Sequence, residues 1–339
     1  MKVRLTSLFL ATVLAVTSTG CSIRKDNDNK SINNEKIVYE TVKDDHTKQM
    51  IEFIERIESS DLNLDLSTFY ELSKTLKVVF LENNNEKHYN SYYNKDENTI
   101  YLNIEEESSF EHELMHVIMN NNKELNNVFL EEGFVELITS EVCNHKNTYR
   151  YNVGLLKILT TILGRERILE TFNEKDTSII TEGLASIVPS EKDAEEVLEY
   201  LIYEHNLCNE MHQDYFNNGN LDKFKSSDNY KRLVNVRKDL TERFKIYIKH
   251  YYRNKVYEEN INPKEILIEM LSLLDIVDKE LFDPDLEIER KNDYFLKEEV
   301  SYIMEKYNLT SEEYDECYQA SKTKNYLYNV TNSKNITKK

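Results

Sequence analysis

The stretch SSFEHELMHVIMNNNKELNNVFLEEGFVELI, Ser108 to Ile138, carries two histidines, a glutamate between them, and a second acidic cluster further on. Ser108 with Glu111 three residues later is a capping-box pattern, which predicts a helix from there to about Asn120, where NNNKELNN interrupts it. A second helix is expected over Val128 to Cys143. His112-Glu113-Leu114-Met115-His116 matches H-E-x-x-H. On a helix, positions i and i+4 lie about 40° apart around the axis and one turn along it, so both imidazoles face one way. Glu113 is turned about 100° from His112, near an ion held there without having to bind it. Leu114, Val117 and Ile118 fasten the other side of the helix into a core. Glu132 and Glu136 are again four apart. One carboxylate can complete a zinc coordination, and the other can accept the N–H of a ligand histidine and fix its tautomer. Glu131 points about 100° away, toward solvent. The plainer reading is a metal-free pair of half-buried helices in a structural protein. The two motifs taken together favour the metal.

Outward from this stretch, strands come first and helices afterwards. His46 to Ser59 has helical apolar spacing. Three short strand-like pieces follow, around Val78 to Leu81, Tyr89 to Tyr93 and Asn98 to Ile104, separated by Asn- and Lys-rich turns as in a small antiparallel sheet. A helix over Tyr149 to Leu163 ends at Gly164. From Ser190 on, helices are expected over about 190–206, 227–257, 263–281, 293–307 and 310–328, with Pro263 near the start of one. The tail SKTKNYLYNVTNSKNITKK reads as basic and frayed. This is an α+β pattern with a mostly helical C-terminal half.

HELMH followed by LEEGFVEL resembles the gluzincin group of zinc metallopeptidases, and most of all the aminopeptidase N-like enzymes, whose second motif reads close to N-E-G-F-A-E. The resemblance covers about Asn98 to Ser140. It implies a zincin-like fold in which His112, His116 and Glu132 bind Zn²⁺, Glu113 is general base and proton shuttle, and Glu136 is an outer carboxylate. The strand Asn98 to Ile104 would line the substrate cleft. The gap between motifs is shorter than in the aminopeptidases, Val135 replaces a small Ala, Glu131 stands where Asn is usual, and there is no G-A-M-E-N-like sequence. These departures leave aminopeptidase, endopeptidase and narrow-specificity peptidase activity all open. A peptidase of this kind needs a donor to steady its oxyanion, for which Tyr149, Tyr151 and His145 are the candidates. Glu182 in TEGLAS is a weaker rival for third ligand, lacking an acidic residue four positions on. His205 and His212, seven apart, suit neither a shared metal nor a shared base.

The 339 residues carry 43 basic and 62 acidic side chains, a net charge of −19. Such a chain repels nucleic acid and anionic lipid head groups, so no nucleic-acid partner is expected. Six Gly, three Pro and no Trp favour long helices over glycine-rich phosphate loops. The acidic run Glu105 to Glu107 reads as a solvated approach to the zinc helix. MKVRLTSLFLATVLAVTSTGC opens with Lys2 and Arg4, then an apolar run and small residues, the form of a secretory signal peptide over 1–20. Ser18-Thr19-Gly20-Cys21 resembles the bacterial lipoprotein signal, with Ser18 where Leu or Val is usual, which implies lipidation at Cys21. A polar tether over 21–48, a peptidase domain over 49–215 and a helical region over 216–339 complete the expected organisation. Cys143, Cys208 and Cys317 are too widely spaced for a thiolate metal cluster. The expectation is a lipid-anchored zinc peptidase on the extracytoplasmic face of a cell membrane, acting on peptides or proteins. The rival reading is a surface lipoprotein of the same shape that binds without catalysis.

Overall fold

The computed structural model describes residues 44–81, 91–103, 109–120, 124–144, 149–188, 190–218, 227–256, 261–281 and 294–329. The signal peptide, Cys21 and most of the tether lie outside these. So do Ser108 of the expected capping box, the Glu105–Glu107 run and His145. The chain divides into two compact units. One holds the residues up to Glu124 with Val142–His145 and Asn329–Lys339, and the other holds Leu125–Glu141 and Lys146–Tyr328.

In the first unit, helix α1 (Asp44–Glu58) begins inside the stretch expected as tether. Its buried Met50, Phe53, Ile54 and Ile57 form a single apolar stripe. Helix α2 (Ser67–Leu72) precedes strands β1 (Lys77–Leu81), β2 (Tyr92–Asn94) and β3 (Thr99–Asn103). The sheet is mixed rather than antiparallel. Its order is β1-β3-β2, with β1 parallel to β3 and β2 antiparallel to it. The reason lies in β3: Thr99, Ile100, Leu102 and Asn103 are all buried, so this strand belongs at the centre with a neighbour on each edge. Only the second connection is a hairpin. Asn98 closes it at φ 47°, a left-handed conformation that asparagine tolerates, and its side chain donates to Leu72 O at 2.8 Å.

Helix α3 (Ser109–Met119) packs on β2, β3, α1 and α2. Both of its ends are tied to the hairpin. Ser109 Oγ is 2.8 Å from Ser91 Oγ, which also accepts from Asn103 N, and Asn120 Nδ2 donates to Tyr93 Oη at 3.2 Å. Phe110, Leu114, Met115, Val117 and Ile118 are buried beneath it.

Every secondary-structure element described in the second unit is helical. Its elements are α4 (Val128–Cys143, whose last two residues count with the first unit), α5 (Arg150–Leu163), α6 (Arg165–Glu174), α7 (Ser178–Ile187), α8 (Glu191–Asn218), α9 (Asp228–Lys255), α10 (Pro263–Asp275), a π-helical turn (Ile276–Glu280), α11 (Tyr294–Lys306) and α12 (Ser311–Lys322). Gly164, at φ 89°, ends α5 as expected, and the chain then re-enters helix at once in α6 and α7, which the sequence pattern had not marked. Ser227 and Asn262 cap α9 and α10, and Thr310 with Glu313 forms a capping box on α12.

The expected frayed tail is anchored as far as it is described. Tyr326, Leu327 and Tyr328 are buried, and their three amides donate to the Glu141 carboxylate at 2.6, 3.0 and 2.8 Å. A run of three aromatic or aliphatic residues overrides the basic composition around it, because burying them gains more than solvating Lys322 and Lys324 requires.

Candidate metal centre

Helix α3 presents His112 and His116 one turn apart on one face, with Nε2 atoms 3.3 Å from each other and ring centroids 5.0 Å apart. Two nitrogens each about 2.0–2.1 Å from a tetrahedral ion are separated by about 3.3–3.4 Å, so the pair already has the spacing of one coordination edge. Glu132, on the second turn of α4, supplies the third group: its carboxylate oxygen and the two imidazole nitrogens all lie within 4.8 Å of one another. That is at most about 1.5 Å longer than a tetrahedral edge, a gap that a small rotation of a glutamate side chain spans. Nitrogen, nitrogen and carboxylate oxygen in this arrangement suit Zn²⁺, with a fourth position left for solvent or substrate.

Burial separates the roles of the remaining residues. His112 is 6 % exposed and Glu113 is 5 % exposed, while His116 and Glu132 are half-buried. A carboxylate and an imidazole are seldom buried this deeply without a task, since each must be desolvated. Glu136, one turn beyond Glu132, is 2 % exposed. Glu131 does not face open solvent. It is half-buried, and its carboxylate meets Lys175 Nζ at 3.9 Å, with the lysine side chain only 2 % exposed. Lys175 ends α6 in the left-handed conformation at φ 57°.

The other candidates separate cleanly. Tyr151 is buried on α5, and its hydroxyl donates to Arg237 O at 3.0 Å while the Arg237 guanidinium sits 4.5 Å over its ring. Its proton is committed to the helical core, so it does not supply an oxyanion donor. Tyr149 is 41 % exposed just before α5. Glu182 is exposed on α7 and does not join the cluster. His205 pairs with Asn209 Nδ2 along α8 at 2.9 Å, and nothing is described of the His212 side chain. All three described cysteines are free thiols, and burial pushes Cys143 up to about 11 and Cys208 up to about 12, which makes both inert.

Sequence reading passed over the groups that hold α4. Asn127 Oδ1 accepts from Leu130 N at 3.2 Å, an N-cap legible in the Asn-Val-Phe-Leu order, and its amide reaches Leu198 O at 3.4 Å. Asn152 Nδ2 donates to Phe129 O at 3.2 Å, a contact between residues 23 apart that no local pattern announces. No protein-family model, curated protein or solved structure matches this chain.

Proposed function

We propose that this protein is a zinc-dependent peptidase. The observation that carries the reading is the meeting of His112, His116 and Glu132 within 4.8 Å, with a buried glutamate, Glu113, next to the first ligand in the chain. A zinc ion held there supplies Lewis acidity, polarising a scissile carbonyl and lowering the pKa of bound water toward about 7. Within that frame the chain's own groups do the rest. His112 and His116 hold their neutral nitrogens toward the ion, and Glu132 offsets its charge. Glu113 takes the proton from the attacking water and passes it to the departing amine, so that the C–N bond breaks without releasing an unprotonated amide anion. Glu136 orients a ligand imidazole. The resemblance to the gluzincins supports the same assignment, and Cys21, with the signal-like residues before it, supports anchoring by lipid at the extracytoplasmic surface. Among the described residues no helix is long and apolar enough to cross a membrane.

The test uses the purified chain lacking residues 1–21. Zinc near one equivalent by elemental analysis, lost in His112→Ala, is expected. A quenched fluorescent peptide library is cleaved by the wild type, and Glu113→Gln keeps the zinc while turnover falls on the order of 10²–10⁴-fold. A Glu113→Gln protein that cleaves like the wild type removes the mechanism. Zinc binding without cleavage of any peptide favours a binding protein of the same shape.

A further inference from the structure

The Glu132 carboxylate sits on a helix turn that is gripped from one side by α5. Gly133, the next residue, lies so close to the α5 backbone that a Cβ placed on it would come 3.2 Å from Asn152 O and 3.3 Å from Asn152 C. These are main-chain atoms in the first turn of α5, which cannot swing aside as a side-chain tip can. At the same crossing, Asn152 Nδ2 donates to Phe129 O at 3.2 Å. In the helix ladder that carbonyl also accepts from the amide four residues on, Gly133 itself, so its two lone pairs are shared between α4 and α5. Asn152 is 7 % exposed and Gly133 is buried, so neither contact is exchangeable with water. Asn127 fixes the turn before, through Leu130 N and Leu198 O. The segment carrying Glu132 therefore has its height and rotation set by a steric stop and a buried polar tether, one residue and one turn away from it.

We infer that Gly133 and Asn152 are positioning residues for the third metal ligand: the α4–α5 crossing sets Glu132 where it can complete the site of His112 and His116. The inference rests on the zinc reading above. It follows that the site is sensitive to α5, an element that contributes no ligand. Gly133→Ala raises intrinsic helix propensity, which opposes the strain of the added methyl in overall stability. The displacement has no such offset, because metal affinity depends on where the carboxylate oxygen lies to within tenths of an ångström.

Zinc affinity is measured by competition with a chromophoric chelator, and ligand geometry by the visible absorption of the cobalt-substituted protein, in Gly133→Ala and Asn152→Ala. Gly183→Ala is the comparison: its Cβ would meet Arg167 Nη1 at 2.7 Å and Leu163 Cδ2 at 3.0 Å on another helix contact of the same unit. The expected result is a loss of zinc affinity of at least tenfold in Gly133→Ala and Asn152→Ala with an altered cobalt spectrum. Gly183→Ala, whose added methyl meets only side-chain ends that can give way, is expected to keep both affinity and spectrum. Wild-type zinc binding with unchanged affinity and spectrum in Gly133→Ala and Asn152→Ala overturns the inference alone. Affinity lost equally in Gly183→Ala also overturns it, because the effect is then general loosening. A wild type that binds neither zinc nor cobalt overturns the metal reading and this inference with it.

Discussion

Two imidazole nitrogens 3.3 Å apart can share one N–H···N hydrogen bond when both rings are neutral, and in the proposed site the same spacing lets both bind one cation. A tetrahedral ion held by three side chains and one solvent position has no ligand to spare. Each of the three ligands should therefore be individually indispensable: Glu132→Ala, like His112→Ala, is expected to abolish stoichiometric zinc binding at micromolar metal, read by equilibrium dialysis. Glu136 acts at one remove in this scheme. Its replacement by Gln should weaken zinc about 10–100-fold and leave the stoichiometry intact, measured by chelator competition. At this scale the sequence was informative because the chemistry is local. His112 and His116, and Glu132 and Glu136, share faces by helix geometry alone. Tyr151 shows the limit: nothing near it in sequence announces Arg237, 86 residues on, whose carbonyl takes its proton.

Helix α4 is fastened at both ends, and its C-terminal fastening is an unusual one. The Glu141 carboxylate accepts three consecutive amides, from Tyr326, Leu327 and Tyr328, and so pins the end of the described chain. Truncation to Ala strands those buried donors and should cost about 3 kcal/mol, seen as a drop in urea midpoint. Burial raises the Glu141 carboxyl above its ordinary value of 4.5, against the lowering effect of the three amides and Lys157. The folded state then binds this proton more tightly than the unfolded chain does. Its linked contribution favours the fold below about 4.5 and is lost as pH rises through the higher folded value. Measured without metal, the wild type should thus lose stability relative to Glu141→Gln as pH rises across that window; a gap that widens the other way contradicts the assignment. The α8–α9 pair has its own buried charge, Arg237 Nε to Glu204 Oε1 at 2.7 Å, with side chains 9 % and 1 % exposed. Glu204→Ala leaves the guanidinium buried without its carboxylate and should cost about 3–5 kcal/mol by denaturant titration.

For the whole molecule, the proposed zinc would act as a ligand of the folded state. At free zinc one hundred times its dissociation constant the fold gains about 2.7 kcal/mol, so the melting temperature should rise on metal addition, fall with a chelator, and respond to neither in His112→Ala. A melting temperature insensitive to metal in the wild type would contradict the site. The net charge of −19 bears on solubility and partners and leaves the fold alone. The broad order of strands followed by helices was readable because helical periodicity and capping residues are local signals. The sheet topology was not. An Asn-rich segment looks the same to a sequence pattern whether it turns a hairpin or leads the chain across the sheet, and here β1 pairs parallel to β3.

By itself, then, the sequence determined the helices around His112 and Glu132 and the shared faces of His112 with His116 and of Glu132 with Glu136, since each follows from spacing of 3.6 residues per turn. Only the tertiary structure decided that Glu132 meets the two histidines, that β3 is a central strand, that Glu131 pairs with Lys175, and that the residues after α12 are buried on Glu141. Those outcomes depend on which distant backbone and side-chain groups remain to be desolvated and satisfied once the helices pack. That accounting is made over the whole fold, and no window of sequence contains it.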